Sequence, residues 1–184
     1  MEEIRLHGRG GQGAAMAAEI LAAAYVREGK YASSFPVFGA ERRGAPVTSF
    51  TRFSEEPVRE RCKIYHPGYV IVFDATLKDA PFTVEGLSAD GFLLVNSSDD
   101  LKPDILDKAA VVAMVDGTRI ALEAIGNPIT NTCLLGAFAA ASGTLKLASI
   151  LDALSDYFSG TILEKNRRAV ERGYAEVKVV KGNT

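Results

Sequence analysis

The segment Gly8-Arg9-Gly10-Gly11-Gln12-Gly13 has the spacing G-x-G-x-x-G. In that spacing the first glycine permits a tight turn, the second lets backbone approach a ligand, and the third lets a helix pack close to a strand. The free N–H groups of the helix start would point at an anion, and Arg9 would add charge if its side chain turned inward. The same glycines would equally let a helix pack tightly or another subunit approach the turn, so two readings stay open on the residues alone. A dinucleotide site also needs an acidic residue about 20 positions further on, at the end of a second strand, to hold ribose hydroxyls. This chain has Ser33-Ser34-Phe35-Pro36 there and Glu28 before the strand, so a nicotinamide or flavin reading loses its best support.

A second constellation is Glu41-Arg42-Arg43-Gly44, on a loop framed by Gly39 and Pro46. Two neighbouring guanidinium groups suit a phosphate or a partner's carboxylates. Short charged runs are commonly solvated turns. Here, however, Phe35, Val37, Phe38, Ala45 and Pro46 would surround the arginines with exposed apolar surface unless a partner chain covers it.

Candidates for catalysis are weaker. Asp74 and Asp116 end apolar runs, but each precedes an expected helix, where an N-cap is the commoner role. Neither His7 nor His66 has sequence neighbours that suggest a triad or a metal site. No serine lies in a G-x-S-x-G elbow, and neither H-E-x-x-H nor a Walker lysine occurs. Cys62 and Cys133 stand too far apart to form a zinc or iron–sulfur ligand set, so any cluster must sit on another chain. Isolated cysteines of this kind suit a reducing cytosol and are most often buried small hydrophobes. The chain offers no persuasive catalytic group of its own.

The elements that must position these residues follow the alternation of an α/β protein. Glu3–His7 reads as a first strand, and the glycine turn opens into a helix over Ala14–Val26, apolar on most of its circumference and therefore covered on more than one side. Tyr31–Phe35 is a second strand closed by Pro36, and Val47–Phe53 alternates as a strand with one wet face should. Tyr69–Phe73, Phe92–Val95 and Ala110–Val115 are unbroken apolar runs, as central strands covered on both faces require. They end at Asp74, Asn96 and Asp116, where parallel strands deliver their carboxyl ends to a crevice.

Helices are expected over Thr118–Ile125, over Thr132–Ser142 with Thr130 or Asn131 as cap and Gly143 as left-handed stop, near Lys146–Phe158, and over Ile162–Ala175 before a basic, fraying tail. Gly136, Ala137, Ala139, Ala140 and Ala141 make the Thr132–Ser142 helix thin enough for close backbone approach. The fold class is α/β: a Rossmann-like open, mostly parallel sheet with flanking helices and a C-terminal helical layer.

With 184 residues the chain fits a single domain over 1–184. It is 47% hydrophobic and 24% charged, with 21 Lys+Arg against 23 Asp+Glu, a balance that opposes both disorder and electrostatic nucleic-acid binding. The start MEEIRLHGRG lacks the basic and apolar regions of a signal peptide. The longest charge-free interval, between Glu123 and Lys146, contains Gly126-Asn127-Pro128 and Asn131, so no membrane span is expected and the location reads as cytoplasmic.

Five blocks, taken in order, resemble the gamma subunit or domain of 2-oxoacid:ferredoxin oxidoreductases, nearest the pyruvate and ketoisovalerate branch. They are HGRGGQGA at His7–Ala14, GKYASSFPVFGAERRGAP at Gly29–Pro46, GFLLVNSS at Gly91–Ser98, NPITNTCLLGAF at Asn127–Phe138 and NRRAVERGY at Asn166–Tyr174. The resemblance implies a noncatalytic part of a complex that decarboxylates a 2-oxoacid, captures the acyl group on coenzyme A and reduces ferredoxin. Thiamine diphosphate and the iron–sulfur clusters would sit on alpha, beta and delta partners, and contact with coenzyme A is the ligand role implied here. Gly8, Gly10, Gly11 and Gly13 match the family's glycine turn. Arg42, Arg43 and Gly44 match its arginine-glycine loop, and Asn131 matches its asparagine before the small-residue helix; with Arg9 these are the cofactor-binding candidates. Two other classes compete: a self-sufficient enzyme using NAD, NADP or FAD, and a small homodimeric binding module.

Overall fold

A run of eight residues from Glu2 to Arg9 forms β1, which ends at the glycine turn. In this computed structural model residues 1–37 and 44–182 are described. Helix α1 (Ala14–Arg27) follows, then β2 (Tyr31–Val37) and β3 (Pro46–Ser54). Next come β4 (Tyr69–Val72), a short 3-10 turn at Ala75–Leu77, α2 (Pro81–Val84), β5 (Phe92–Asn96), α3 (Pro103–Leu106) and β6 (Val111–Val115). The remainder is α4 (Gly117–Ala124), α5 (Asn131–Ser142), α6 (Leu147–Ala153), α7 (Gly160–Glu176) and a final strand β7 (Lys178–Lys181).

The seven strands form one sheet in the order β2-β3-β1-β4-β5-β6-β7. β1, β4, β5 and β6 pair in parallel, while β3 runs against both β1 and β2, and β7 runs against β6. Five of the seven strands therefore point the same way, which makes the sheet mixed but mostly parallel. One face carries Ile4, Leu6, Ile71, Phe73 and Leu94 beneath α1, α5, α6 and α7. Across the parallel half, the other face carries Val70, Val72, Leu93 and Val95, covered by Leu77, Val84 and Ile105 from the short helices. Layers on both sides explain why the parallel strands are apolar without alternation.

Several boundaries depart from expectation, each for a local reason. β2 continues through Pro36 to Val37, because β2 is an edge strand and a residue without an N–H costs little there. β3 has no wet face: Thr51 is buried on the α1 side, where its hydroxyl donates to the Ala18 carbonyl at 3.0 Å, and Arg52 is buried on the opposite side. The expected helix near Lys146–Phe158 is shorter, with α6 giving way to a 3-10 turn at Leu154–Asp156. Its start is capped from another element: the Glu28 carboxylate accepts from Lys146 N–H at 2.7 Å and from the Ser149 hydroxyl at 2.8 Å.

The basic tail is not frayed at residues 178–181 but closes the sheet as β7. Its four residues, Lys-Val-Val-Lys, are too few to read as a strand without their partner. Cys133 is buried as expected, whereas Cys62 is exposed. No helix among the described residues is long and apolar enough to cross a membrane.

Candidate functional site

The chain leaves β1 in one direction, to α1 and the β2–β3 pair, and later builds β4, β5 and β6 on the opposite side of β1. Such a reversal opens a crevice at the carboxyl ends of the flanking strands. The glycine turn at the end of β1 and Asp74 beyond the end of β4 meet at this point. Asn96 lies one strand further along, donating to the Phe73 carbonyl at 2.8 Å and accepting from Gly117 N–H at 3.0 Å.

Of the glycines predicted for the site, Gly13 has the clearest structural reason. It lies at φ 76°, in the left-handed region, and a Cβ added there would stand 2.4 Å from Asn131 Nδ2. Gly13 and Asn131, more than a hundred residues apart in sequence, thus lie against each other. Asn131 is buried at the first turn of α5, where its Oδ1 accepts from Thr132 N–H at 2.8 Å, while the Thr130 hydroxyl goes to the Phe73 carbonyl. Gly8 is under mild restraint from Gln12 and Ala14, and Gly11, at φ 95°, is exposed at the tip with open space around it.

The turn is joined to the start of β3 by Gly10 N–H donating to the Ala45 carbonyl at 2.9 Å and Gly44 N–H donating to the Gly10 carbonyl at 3.3 Å. Arg9 donates to the Gly44 carbonyl at 3.1 Å and to the Thr76 hydroxyl at 2.8 Å, and its Nε lies 3.5 Å from the Asp74 carboxylate. Gly8, Arg9, Gly10, Gly11, Gly13, Gly44 and Asn131 therefore lie along one edge. Arg42 and Arg43 lie outside the described residues.

Asp74 is the residue here that the motif reading undervalued. Its carboxylate caps the 3-10 turn by accepting from Thr76 N–H at 2.8 Å, as expected of an N-cap, and Asp116 caps α4 likewise through Arg119 N–H at 3.0 Å. Asp74 also accepts from the Thr76 hydroxyl and from the Gln12 side-chain amide. Burial alone would raise the Asp74 carboxyl, but the hydrogen bonds from Thr76 and Gln12 and the nearby Arg9 charge hold it below the ordinary range. Its place after an apolar run was visible in sequence; its bond to Gln12 was not.

His7, immediately before the turn, is structural. Its Nε2 accepts from Arg5 Nε at 2.9 Å and its ring meets Phe82 edge-on. Burial, reinforced by the Arg5 charge, pushes the imidazole from 6.5 down to about 3. Between those values the unfolded chain holds a proton that the folded chain does not, so His7 stabilises the fold fully above pH 6.5 and progressively less as pH falls towards about 3. The slope is about 1.4 kcal/mol per pH unit. Urea denaturation at about pH 7 and about pH 5.5 should show a loss of roughly 1.4 kcal/mol that disappears in His7→Gln. The same loss in the variant would remove His7 as its source.

Among the described residues, no group of three or more His, Cys, Asp or Glu side chains is placed to hold a metal ion. Burial pushes the Cys133 thiol up to about 12, which leaves it unreactive.

Residues 3–176 match the family described as pyruvate ferredoxin/flavodoxin oxidoreductase. The chain belongs to that family. Within the pyruvate ferredoxin/flavodoxin oxidoreductases it falls in the gamma-subunit branch. It is 49% identical over 182 residues to the pyruvate/ketoisovalerate oxidoreductases common subunit gamma of Pyrococcus furiosus, covering 97% of this chain and 98% of that one. The crystal structure of pyruvate oxidoreductase subunit PORC from Thermotoga maritima superimposes with a TM-score of 0.86 at 40% identity, covering 98% of each chain. A 2-oxoglutarate:ferredoxin oxidoreductase from Magnetococcus marinus, solved with 2-oxoglutarate, coenzyme A and succinyl-CoA bound, shares the fold. Its TM-score is 0.77 at 22% identity, over 95% of this chain and 30% of that longer one. These relatives favour the oxidoreductase-subunit reading over a self-sufficient NAD- or FAD-dependent enzyme.

Proposed function

We propose that this chain serves as the gamma subunit of a multi-subunit 2-oxoacid:ferredoxin oxidoreductase of the pyruvate or ketoisovalerate type. In that complex its glycine-turn edge faces coenzyme A. Thiamine diphosphate and the iron–sulfur clusters belong to alpha, beta and delta partners, which pass electrons to ferredoxin. The observation that carries the coenzyme A contact is the convergence of Gly10, Gly13, Gly44 and Asn131 at the sheet's reversal point, with Gly11 left open at the tip. The apolar stretch around the arginine loop supports a protein neighbour on the same edge.

Gly8, Arg9, Gly10, Gly11, Gly13, Gly44 and Asn131 form this edge among the described residues, and Arg42 and Arg43 directly precede Gly44 in sequence. The chain's own work is to bind and orient; bond making falls to groups on the partners.

Co-purification of the tagged chain from its native host should bring down thiamine-dependent partners, and a chain recovered alone would overturn the assignment. In the reconstituted complex, Arg42→Ala with Arg43→Ala should weaken coenzyme A binding roughly tenfold or more and flatten its salt dependence, because two phosphate-directed charges are lost. Titration with coenzyme A at two ionic strengths checks this, and an unchanged affinity would remove the loop from the ligand site.

A further inference from the structure

Arg9 ends β1, whose neighbours in the sheet are β3 on one side and β4 on the other. Its side chain reaches towards both. Nη1 donates to the Gly44 carbonyl at 3.1 Å, two residues before β3 begins. Nη2 and Nε donate to the Thr76 hydroxyl at 2.8 and 3.2 Å, in the 3-10 turn beyond β4. Asp74, 3.5 Å from Nε, supplies the opposite charge. The backbone of Arg9 is fixed as well, since its N–H donates to Gln12 Oε1 at 2.7 Å and the Gln12 amide in turn donates to Asp74.

A guanidinium grips a phosphate through two parallel N–H groups on one of its edges. In Arg9 the edge formed by Nε and Nη2 is turned to Thr76 and Asp74, and Nη1 is engaged by a backbone carbonyl. Each contact is to the chain itself, and together they span the end of β1 like a brace. What the brace holds is the point where the chain re-enters the sheet. Gly44 N–H donates to the Gly10 carbonyl at 3.3 Å and Gly10 N–H to the Ala45 carbonyl at 2.9 Å, just ahead of the β1–β3 ladder, whose last pair is Arg9 with Pro46. Arg42 and Arg43 immediately precede Gly44 in sequence, so whatever fixes Gly44 fixes one end of the segment to which they belong.

We propose that Arg9 is a positioning residue of the ligand edge: by tying Gly44 to Thr76 and Asp74 it sets the chain for coenzyme A binding without touching the ligand. The effect on coenzyme A rests on the function proposed above, whereas the tie belongs to this chain alone. An edge held in place before the ligand arrives spares binding an ordering cost, so losing the brace weakens affinity although no ligand contact is lost. Charge by itself does not suffice, because the single ammonium of a lysine cannot hold Gly44 and Thr76 in the fixed fork that a guanidinium provides.

Two measurements test this. In the full chain, isotopically labelled, amide exchange is followed by NMR at Gly44 and Gly10. Phe73 is the control, because it is buried and its N–H donates to the His7 carbonyl at 2.8 Å between β1 and the end of β4, so that its exchange reports the stability of the sheet. Arg9→Ala and Arg9→Lys should each speed exchange at Gly44 and Gly10 roughly tenfold more than at Phe73, as expected when a charge-assisted hydrogen bond is lost. In the reconstituted complex both variants should weaken coenzyme A binding by similar factors, roughly fivefold or more. Thr76→Val, which removes the acceptor and leaves the arginine's charge in place, should reproduce part of that loss.

If Arg9→Lys keeps the affinity that Arg9→Ala loses, Arg9 acts as a charge on the ligand and the proposal is overturned. Unchanged exchange at Gly44 in both variants overturns it equally, as does faster exchange with coenzyme A affinity untouched. An unmodified complex that fails to bind coenzyme A would overturn the function proposed above and the ligand half of this proposal together, and exchange at Gly44 would still decide whether Arg9 ties the chain.

Discussion

Replacing Gly136 by alanine is expected to cost about 3 kcal/mol or more of folding stability, at the upper end of what inserting one methyl group into a packed interior does. A Cβ at Gly136 of α5 would stand 1.9 Å from the Val170 carbonyl oxygen of α7, 2.8 Å from its carbon and 3.1 Å from Tyr174 N. The reciprocal site is as tight: a Cβ at Gly173 of α7 would lie 2.0 Å from the Cys133 carbonyl oxygen of α5. These neighbours are helix backbone, so no side chain can swing aside, and the helices must part by about an ångström to restore normal contact. Parting them would loosen Cys133, Ala137, Ala169 and Val170, all fully buried, and strain the hydrogen bond at 2.9 Å from the Thr132 hydroxyl to Asn166 Oδ1.

Gly173→Ala should cost a similar amount. The double variant should fall short of the sum, because one separation relieves both clashes. Gly143→Ala is the contrasting case: at φ 66° with open space around it, the cost should be only the left-handed backbone term of about 1–2 kcal/mol. Urea denaturation of the four variants beside the unmodified chain decides the matter. A Gly136→Ala midpoint equal to that of the unmodified chain would mean that the helices do not cross this closely.

That helix pair also shows how far the sequence could be read. The run Gly136, Ala137, Ala139, Ala140 and Ala141 announced a thin helix, but Gly173, four-fifths of the way through a polar-looking helix, carried no comparable signal. Its partner becomes apparent only when α5 and α7 are docked. The parallel strands β4, β5 and β6 were legible because burial on both faces leaves nothing but apolar residues, and their ends were marked by Asp74 and Asn96. β7 was not, since a four-residue edge strand is specified by the neighbour it pairs with rather than by its own pattern.

At the candidate site the glycine spacing and Asn131 could be picked out. The reason for Gly13 could not, because it lies in a side chain far along the chain. Nor could the bond from the Gln12 amide to Asp74, which joins residues 62 positions apart. Alternation failed at β3 for a related reason: Ser49, Thr51 and Arg52 look like residues for water, and all are buried.

Arg52→Ala should be the second severe substitution, costing about 3 kcal/mol, the lower end of what removing one partner of a buried ion pair does. Arg52 is 2% exposed, and its Nε donates to Glu3 Oε1 at 2.7 Å. A second nitrogen donates to the Cys62 carbonyl at 2.9 Å, a third reaches the Cys62 sulfur at 3.6 Å, and the guanidinium stands over the Phe35 ring at 5.7 Å. One side chain thus ties β1, β2 and β3 to the connection between β3 and β4. Alanine would leave the Glu3 carboxylate without its cation and the Cys62 carbonyl without its donor, besides opening a void beside Phe35.

Glu3 is partly solvated, with its side chain 24% exposed, so water recovers some of the loss and the lower figure is appropriate. Arg52→Lys keeps the charge but cannot span Glu3 and Cys62 together, and should recover less than half of the stability lost on truncation. Cys62 supplies a local readout: freed from Arg52, its exposed thiol should react several-fold faster with a disulfide reagent, before any global unfolding. If Arg52→Ala changes neither the urea midpoint nor the rate at Cys62, the buried guanidinium does not hold this connection.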